Sequence, residues 1–380
     1  MGERKRIGIL TSGGDCSGLN AAIRAVVHRA IGTYDWDVFG IMRSTQGLLQ
    51  QPPAVKQLHM ADTDAILTHG GTILGTTNKG NPFAFPMPDG TVGDRTEEII
   101  NAYHQLGLDA LIGIGGDGSL AILRRIAQQG GIKLVAIPKT IDNDLGSTER
   151  SIGFDSAVNI ATEALDRLHF TAASHSRVMI LEVMGRDAGH IAISAGIAGG
   201  ADVIVIPEIN YSIDTICNSI QALKAKGRNF AIVVVAEAVC TESGEQVTRT
   251  HALSQCRLGG VGQYLADHIS ANTGAETRVT VLGHVQRGGM PSPLDRLIAT
   301  AFGVAAVDLI AENRCDRMVS WQHRQVVSVP IESAIAHYQA VDPHGTLVKT
   351  ARAMGICLGD EPDAPPIPST VPDHFNVAMV

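Results

Sequence analysis

The run Leu134-Val135-Ala136-Ile137-Pro138-Lys139-Thr140-Ile141-Asp142-Asn143-Asp144-Leu145 decides how this chain folds. Four apolar residues halted by a proline read as a buried strand, and the polar residues then leave the sheet at its carboxyl end. Open α/β sheets hold their ligands at that end. If the chain stays extended past Pro138, the two-residue alternation puts Thr140, Asp142 and Asp144 on one side and Lys139 and Asn143 on the other. Two carboxylates that close either share a cation, or one of them serves as a base. An Asx-rich turn with purely local hydrogen bonds is the plain alternative.

The same strand-then-polar-exit pattern recurs on both sides of this run. Ile7 to Leu10 reads as a first strand and Thr11 to Asp15 as the turn off its end. Leu19, Ala22, Ile23, Val26, Val27 and Ala30 then form one face of an amphipathic helix. Strand, glycine turn and helix make a phosphate cradle when the amides at the helix start face an anion, although Gly13 and Gly14 alone also fit a tight turn. The stretch Gly70 to Pro82 has neither period and is expected to be a functional loop, with Lys79 as a cation for a polyphosphate.

Ala110 to Ile114 is the next strand, running into Gly115-Gly116-Asp117-Gly118-Ser119 and a helix from about Leu120. Gly113 to Gly118 fits G-x-G-x-x-G, a dinucleotide pattern. The carboxylate of Asp117 inside the turn opposes a bare pyrophosphate, and no ribose-binding acid follows about twenty residues on. An Asp there makes sense when Mg²⁺ accompanies the phosphates, so the turn points to a magnesium nucleotide over NAD.

Farther along, Ser156 fits the N-cap of a helix through Leu168. Val178 to Val183 is a strand ending in Met184-Gly185-Arg186, and Ala231 to Ala236 a strand closed by Glu237. Val279 to Leu282, with Arg278 just before it, leads into Gly283-His284-Val285-Gln286-Arg287-Gly288-Gly289. A lone His284 is more often structural, but beside Arg287 and paired glycines it suits a phosphate clamp. The strand-helix alternation continues along the chain, so parallel sheets flanked by helices are expected.

Length and composition set the limits. The 380 residues allow two α/β lobes, and 44% apolar with 18% charged residues is a globular composition. A net charge of −8 argues against nucleic acid and anionic membrane as partners but leaves room for anionic small molecules. The six cysteines form no CxxC pair, so neither zinc nor a disulfide framework is indicated and a reducing cytoplasm fits. No signal-peptide core or membrane-length apolar run is present, and the Pro- and Asp-rich tail 361–380 is expected to be poorly ordered.

Taken together, Thr11 to Asp15, Gly115 to Ser119, Pro138 to Asp144, Met184 to Arg186 and Gly283 to Gly289 resemble the 6-phosphofructokinase family, over about Ile7 to Leu309. The resemblance implies two lobes, each a mostly parallel sheet flanked by helices, with the active site in the cleft between them. It divides the chain into a nucleotide lobe, 1–153 with about 286–336, and a sugar-phosphate lobe, 154–285 with about 337–360. It implies transfer of a phosphoryl group from MgATP to O1 of fructose 6-phosphate. Asp142 matches the general base and Asp117 the magnesium site, while Gly14, Gly116, Gly118 and Ser119 match nucleotide-phosphate contacts. Thr140 lies between the two ligands, and Arg186 steadies the moving phosphoryl group. Met184, Gly185, Glu237, His284 and Arg287 match sugar-phosphate contacts. Arg177 and Arg278 match residues that reach a neighbouring subunit's site, implying a homo-oligomer, typically a tetramer.

Departures from the family pattern concern the donor and the regulation. Gly118 goes with ATP, whereas Lys139 stands where pyrophosphate enzymes carry lysine. Both are donor-selectivity positions, and Gly118 weighs more because it leaves room for the nucleotide. Lys79 stands near a family arginine that touches the transferred phosphate. Of the effector positions, Arg24, Asp202, Lys226 and Arg228 fit phosphate, but His28, Met60 and His169 replace arginines, so altered control by ADP or phosphoenolpyruvate is expected. A pyrophosphate-dependent enzyme, an NAD-dependent oxidoreductase and a non-catalytic sugar-phosphate sensor are the rival classes. Asp142 and Asp117 together disfavour the sensor.

Overall fold

The computed structural model describes residues 4–250 and 256–360, so the expectation for the tail 361–380 lies outside the described residues. The chain divides into two compact units, the first running to Ser156 and resuming over Arg287–Tyr338, the second comprising Ala157–Gln286 and Gln339 onward. No helix among the described residues is long and apolar enough to cross a membrane.

The first unit is built on a seven-stranded sheet. Its order is Gln325–Pro330, Arg317–Gln322, Leu134–Pro138, Ala110–Gly115, Arg6–Thr11, Asp37–Ile41, Val55–Leu58. The five inner strands pair in parallel, and the two edge strands are antiparallel. Ile7, Ile9, Ile112, Ile114, Val135 and Ile137 are fully buried, as expected when helices cover both faces of a parallel sheet. Each such side chain contributes about 2 kcal/mol of burial. Among the covering helices, Leu19–Tyr34 and Pro293–Ala311 meet closely at Gly303, where an added methyl group would lie 2.7 Å from the Ala25 methyl carbon.

Register aligns the exits of the three central strands. Thr11 pairs with Ile114 and Gly115 with Pro138, so the turns beginning at Ser12, Gly116 and Lys139 leave one edge of the sheet together. From Arg6–Thr11 the chain fills one side of the sheet, then returns to Ala110–Gly115 on the other. That reversal is the switch point at which α/β sheets bind ligands.

Four parallel strands make the second unit's sheet, ordered Thr277–Val281, Val178–Val183, Ala231–Ala236, Val203–Val205. Val183 pairs with Ala236, so Met184 and Glu237 also leave from a common edge. Helices here include Ile213–Ala225 and Val261–Thr273, the latter capped by the buried Glu182 carboxylate through the amides of Gly260 and Gly262.

Several local expectations require correction. The helix expected from about Leu120 begins at Asp117, because Asp and Ser suit the first turn, where side chains and the dipole favour an acid. Ser156 is not a cap: it lies inside the helix Phe154–His175, with its hydroxyl on the buried Asp295 carboxylate at 2.6 Å. Arg278 belongs to its strand rather than preceding it.

Candidate active site

The segment after Pro138 does not stay extended. Asn143 adopts a left-handed backbone, φ 53°, and the chain turns back on itself. Ser151 staples the turn, its hydroxyl donating to the Thr140 carbonyl at 2.7 Å and its amide to Asn143 Oδ1 at 3.0 Å. The segment is a turn, but its side-chain bonds reach Ser151 and are not purely local; Thr140, Asp142 and Asp144 are still brought together, through one hydroxyl instead of a pleat. Thr140 Oγ1 accepts from the Asp142 amide at 3.1 Å and lies 3.3 Å from Asp142 Oδ2 and 3.1 Å from Asp144 Oδ1. Asp142 is 6% and Asp144 4% exposed.

Both glycine turns meet this segment. The Lys139 amide donates to the Gly115 carbonyl at 2.9 Å, and a methyl group added at Gly116 would lie 3.4 Å from the Lys139 oxygen. Ser119, in the first turn of the Asp117–Gly130 helix, packs against Gly13 and Gly115, and a side-chain carbon on either would lie 2.8 Å from it. Of the three glycines in the G-x-G-x-x-G pattern, Gly115 meets Ser119 and Gly113 meets Leu123, where a Cβ would lie 2.7 Å from a methyl carbon, so two of them serve packing. Asp117 is half-buried at that helix start, and Gly118 is exposed with no atom within 4 Å of the position a Cβ would take.

The 70–82 loop joins the same cluster. Thr77 accepts from the Gly13 amide at 3.0 Å, and the Thr76 hydroxyl donates to the Gly13 carbonyl at 2.7 Å. Lys79 is exposed on this loop, its carbonyl receiving the Gln46 amide at 3.2 Å. Arg287 also belongs here, with its guanidinium against Gly14 and its Nη1 donating to the Asp15 carbonyl at 3.2 Å. The Lys139 ammonium, wholly buried, donates to the Gly14 carbonyl at 2.5 Å, and burial draws its pKa below the ordinary lysine value.

A second group gathers at the strand exits of the other unit. Gly185 makes a tight turn, since a Cβ there would sit 2.3 Å from the Ala188 carbonyl. Arg186 follows in a left-handed conformation, φ 52°, with its amide on Glu237 Oε1 at 3.2 Å and its side chain 3.6 Å from Asp187. Strain of this kind gathers at functional sites. His284 is exposed in the 3₁₀ turn Gly283–Arg287. From the same turn the buried Gln286 accepts the Met184 amide at 2.7 Å. Gln286 was missed by sequence reasoning. Its signal was a polar residue that a turn would otherwise expose, placed between two residues already chosen.

Arg177 and Arg278 are not brought to that edge. They sit at the amino-terminal ends of the strands whose other ends carry Met184 and His284, roughly 17 Å of strand away. Both guanidinium groups converge on one oxygen of Glu276, Arg177 at 2.9 Å. Of the effector positions in this unit, Arg228 is engaged by Asp202 at 2.6 and 2.9 Å, and His169 by the Gly199 carbonyl at 2.7 Å. In the first unit, burial and the nearby Arg24 hold the His28 pKa down, so its ring is neutral near pH 7.

Comparison with known proteins places this geometry. Residues 6–310 match the family described as phosphofructokinase. The chain is 69% identical to ATP-dependent 6-phosphofructokinase 1 of Synechocystis sp. (strain ATCC 27184 / PCC 6803 / Kazusa), over 95% of this chain and all of that one. It is equally 69% identical to ATP-dependent 6-phosphofructokinase 1 of Nostoc sp. (strain PCC 7120 / SAG 25.82 / UTEX 2576), with the same coverage. Among solved structures it resembles Pichia pastoris phosphofructokinase in the T-state, with a TM-score of 0.77 and 31% identity over 88% of this chain, spanning 36% of that longer one. With its two sheets, its aligned strand exits and these likenesses along almost its whole length, the chain belongs to the phosphofructokinase family.

Proposed function

We propose that this protein transfers the γ-phosphoryl group of ATP to O1 of fructose 6-phosphate, giving fructose 1,6-bisphosphate and ADP in glycolysis. The observation that carries it is the buried pair Asp142 and Asp144 around a single threonine hydroxyl, at the sheet edge where two glycine turns converge. Asp142 takes the proton from the sugar hydroxyl as the alkoxide develops, and Thr140 orients that carboxylate. Gly14, Gly116, Gly118 and Ser119 line the nucleotide phosphates, with Lys79 as a mobile cation. Arg186 balances charge on the moving group. Met184, Gly185, Glu237 and His284 hold the sugar phosphate, whereas Arg287 lies with its guanidinium against the Gly14–Asp15 turn.

Magnesium fits the donor set around Asp117. Mg²⁺ is usually held by one or two carboxylates plus substrate phosphates and waters, and Asp117 offers one carboxylate beside the open flank of Gly118. No group of three or more His, Cys, Asp or Glu able to cage an ion occurs among the described residues, which suits an ion delivered with the nucleotide. When bound, the ion neutralises charge building on the phosphate oxygens.

We further read the assembly as a homotetramer in the cytoplasm, with Arg177 and Arg278 serving a neighbour's site. Their position away from Met184 and His284, pre-paired by Glu276, supports this. The occupied Arg228 and the neutral His28 support weakened effector control. A side-by-side assay with fructose 6-phosphate, Mg²⁺ and either ATP or pyrophosphate tests the central reading. Turnover with ATP is expected, and turnover with pyrophosphate alone would overturn it.

A further inference from the structure

Two consecutive glycines give the Gly13–Asp15 turn more conformational freedom than any other sequence would. Ser12 to Asp15 are partly exposed, while Cys16 to Asn20 are buried, so this turn is a rim between solvent and core. Its carbonyls are nonetheless held from the protein side. The Lys139 ammonium, 4% exposed, takes the Gly14 oxygen at 2.5 Å, and Arg287 takes the Asp15 oxygen at 3.2 Å. The Arg287 guanidinium fills the space beside Gly14, where a Cβ would lie 2.8 Å from Nη1.

Peptide planarity converts this grip into an orientation. In a trans peptide the N–H of the next residue points opposite to the carbonyl. With the Gly14 oxygen drawn inward to a buried ammonium, the Asp15 N–H faces the open side. Freed from the lysine, the same peptide could turn its oxygen outward and set a partial negative charge against phosphate oxygens. Burial draws the Lys139 pKa down and Arg287 adds to this, while the Asp142 and Asp15 carboxylates oppose it.

We propose that Lys139 is a positioning residue for the phosphoryl donor: it fixes the Gly14–Asp15 peptide with its N–H toward the donor phosphates, and does not itself touch the donor. This rests on the donor site proposed above. It differs from a lysine that selects the donor by direct contact, because here the ammonium is buried against the main chain and not presented to solvent.

The test is the Lys139→Met variant of the full-length enzyme, studied by crystallography without ligands and by steady-state kinetics. The Gly14–Asp15 peptide is expected to rotate, and the KM for ATP to rise about tenfold, while the KM for fructose 6-phosphate stays within about twofold. An unrotated peptide overturns the proposal, as does an unchanged KM for ATP. If the methionine variant does not fold, Lys139→Gln carries the same two readouts. Its amide keeps a donor without a charge, so the peptide should hold and the KM for ATP should stay within about threefold. A tenfold loss with the glutamine variant identifies a direct ionic contact and also refutes it. The crystallographic arm needs no donor, and ATP turnover by the wild type checks the underlying reading separately.

Discussion

Replacing Asp142 by asparagine tests the chemistry most directly. The side chain is 6% exposed and almost isosteric with its amide counterpart, and the bond from its own backbone N–H to Thr140 Oγ1 at 3.1 Å does not use its carboxylate. The Asp142→Asn variant would therefore keep the turn while losing the ability to accept a proton. General-base catalysis is worth roughly 10²–10⁴-fold. A loss in kcat near the middle of that range, about 10³-fold, corresponds to about 4 kcal/mol of transition-state stabilisation. Ground-state binding depends on other groups, so KM for ATP and for fructose 6-phosphate should each change less than about threefold. A coupled assay of fructose 1,6-bisphosphate formation at saturating substrates measures this, with a thermal melt to verify folding. A folded Asp142→Asn enzyme retaining more than about a tenth of wild-type kcat would falsify the assignment of Asp142 as the base.

Other predictions follow from single features. Gly118→Asp, placing a carboxylate on the open flank beside Asp117, should abolish ATP turnover while leaving stability within about 0.5 kcal/mol, since the site is exposed; ATP kinetics like the wild type's would refute the steric account. Burial lowers the Lys139 pKa, so between its folded value and the ordinary 10.5 the unfolded chain binds more protons and wild-type stability rises with pH, by up to about 1.4 kcal/mol per unit. Urea midpoints of the wild type should accordingly climb relative to Lys139→Met on approaching that value, and parallel profiles would contradict it. Cys16 is wholly buried and its thiol is pushed up to about 12, so iodoacetamide near pH 8 should leave it unmodified until the protein unfolds, as peptide mapping would reveal. Because Arg228 is already paired with Asp202 and His28 is neutral, ADP or phosphoenolpyruvate should shift the fructose 6-phosphate saturation curve less than about twofold. A strong response to both effectors would disprove that.

Much of the scaffold was legible because its signals are local. Apolar runs such as Leu134 to Ile137 and Ala231 to Ala236 are short, continuous and stopped by polar or proline residues, so their identity as buried strands does not depend on distant contacts. The register of those strands was not legible, because it is set by pairing between residues far apart in sequence. That register brings Ser12, Gly116 and Lys139 to one edge. Helix starts shifted for a similar reason. Asp117 and Ser119 look like turn residues in isolation, yet become the first helical turn once Ser119 packs against Gly13.

By itself, the amino-acid order determined the alternating α/β architecture, the acids and cations at the strand exits, and the family they resemble, since periodicity and residue chemistry are carried by neighbours in the chain. Only the tertiary structure decided which of those groups act on one another. Lys139 looked like a cation available to a donor, and the fold buries it against the Gly14 carbonyl. Arg177 and Arg278 share strand segments with Met184 and His284 by sequence, and the parallel strands carry them to the opposite end, onto Glu276. A side chain's partner depends on strand direction, register and burial, which arise from long-range packing and leave no mark in the local sequence.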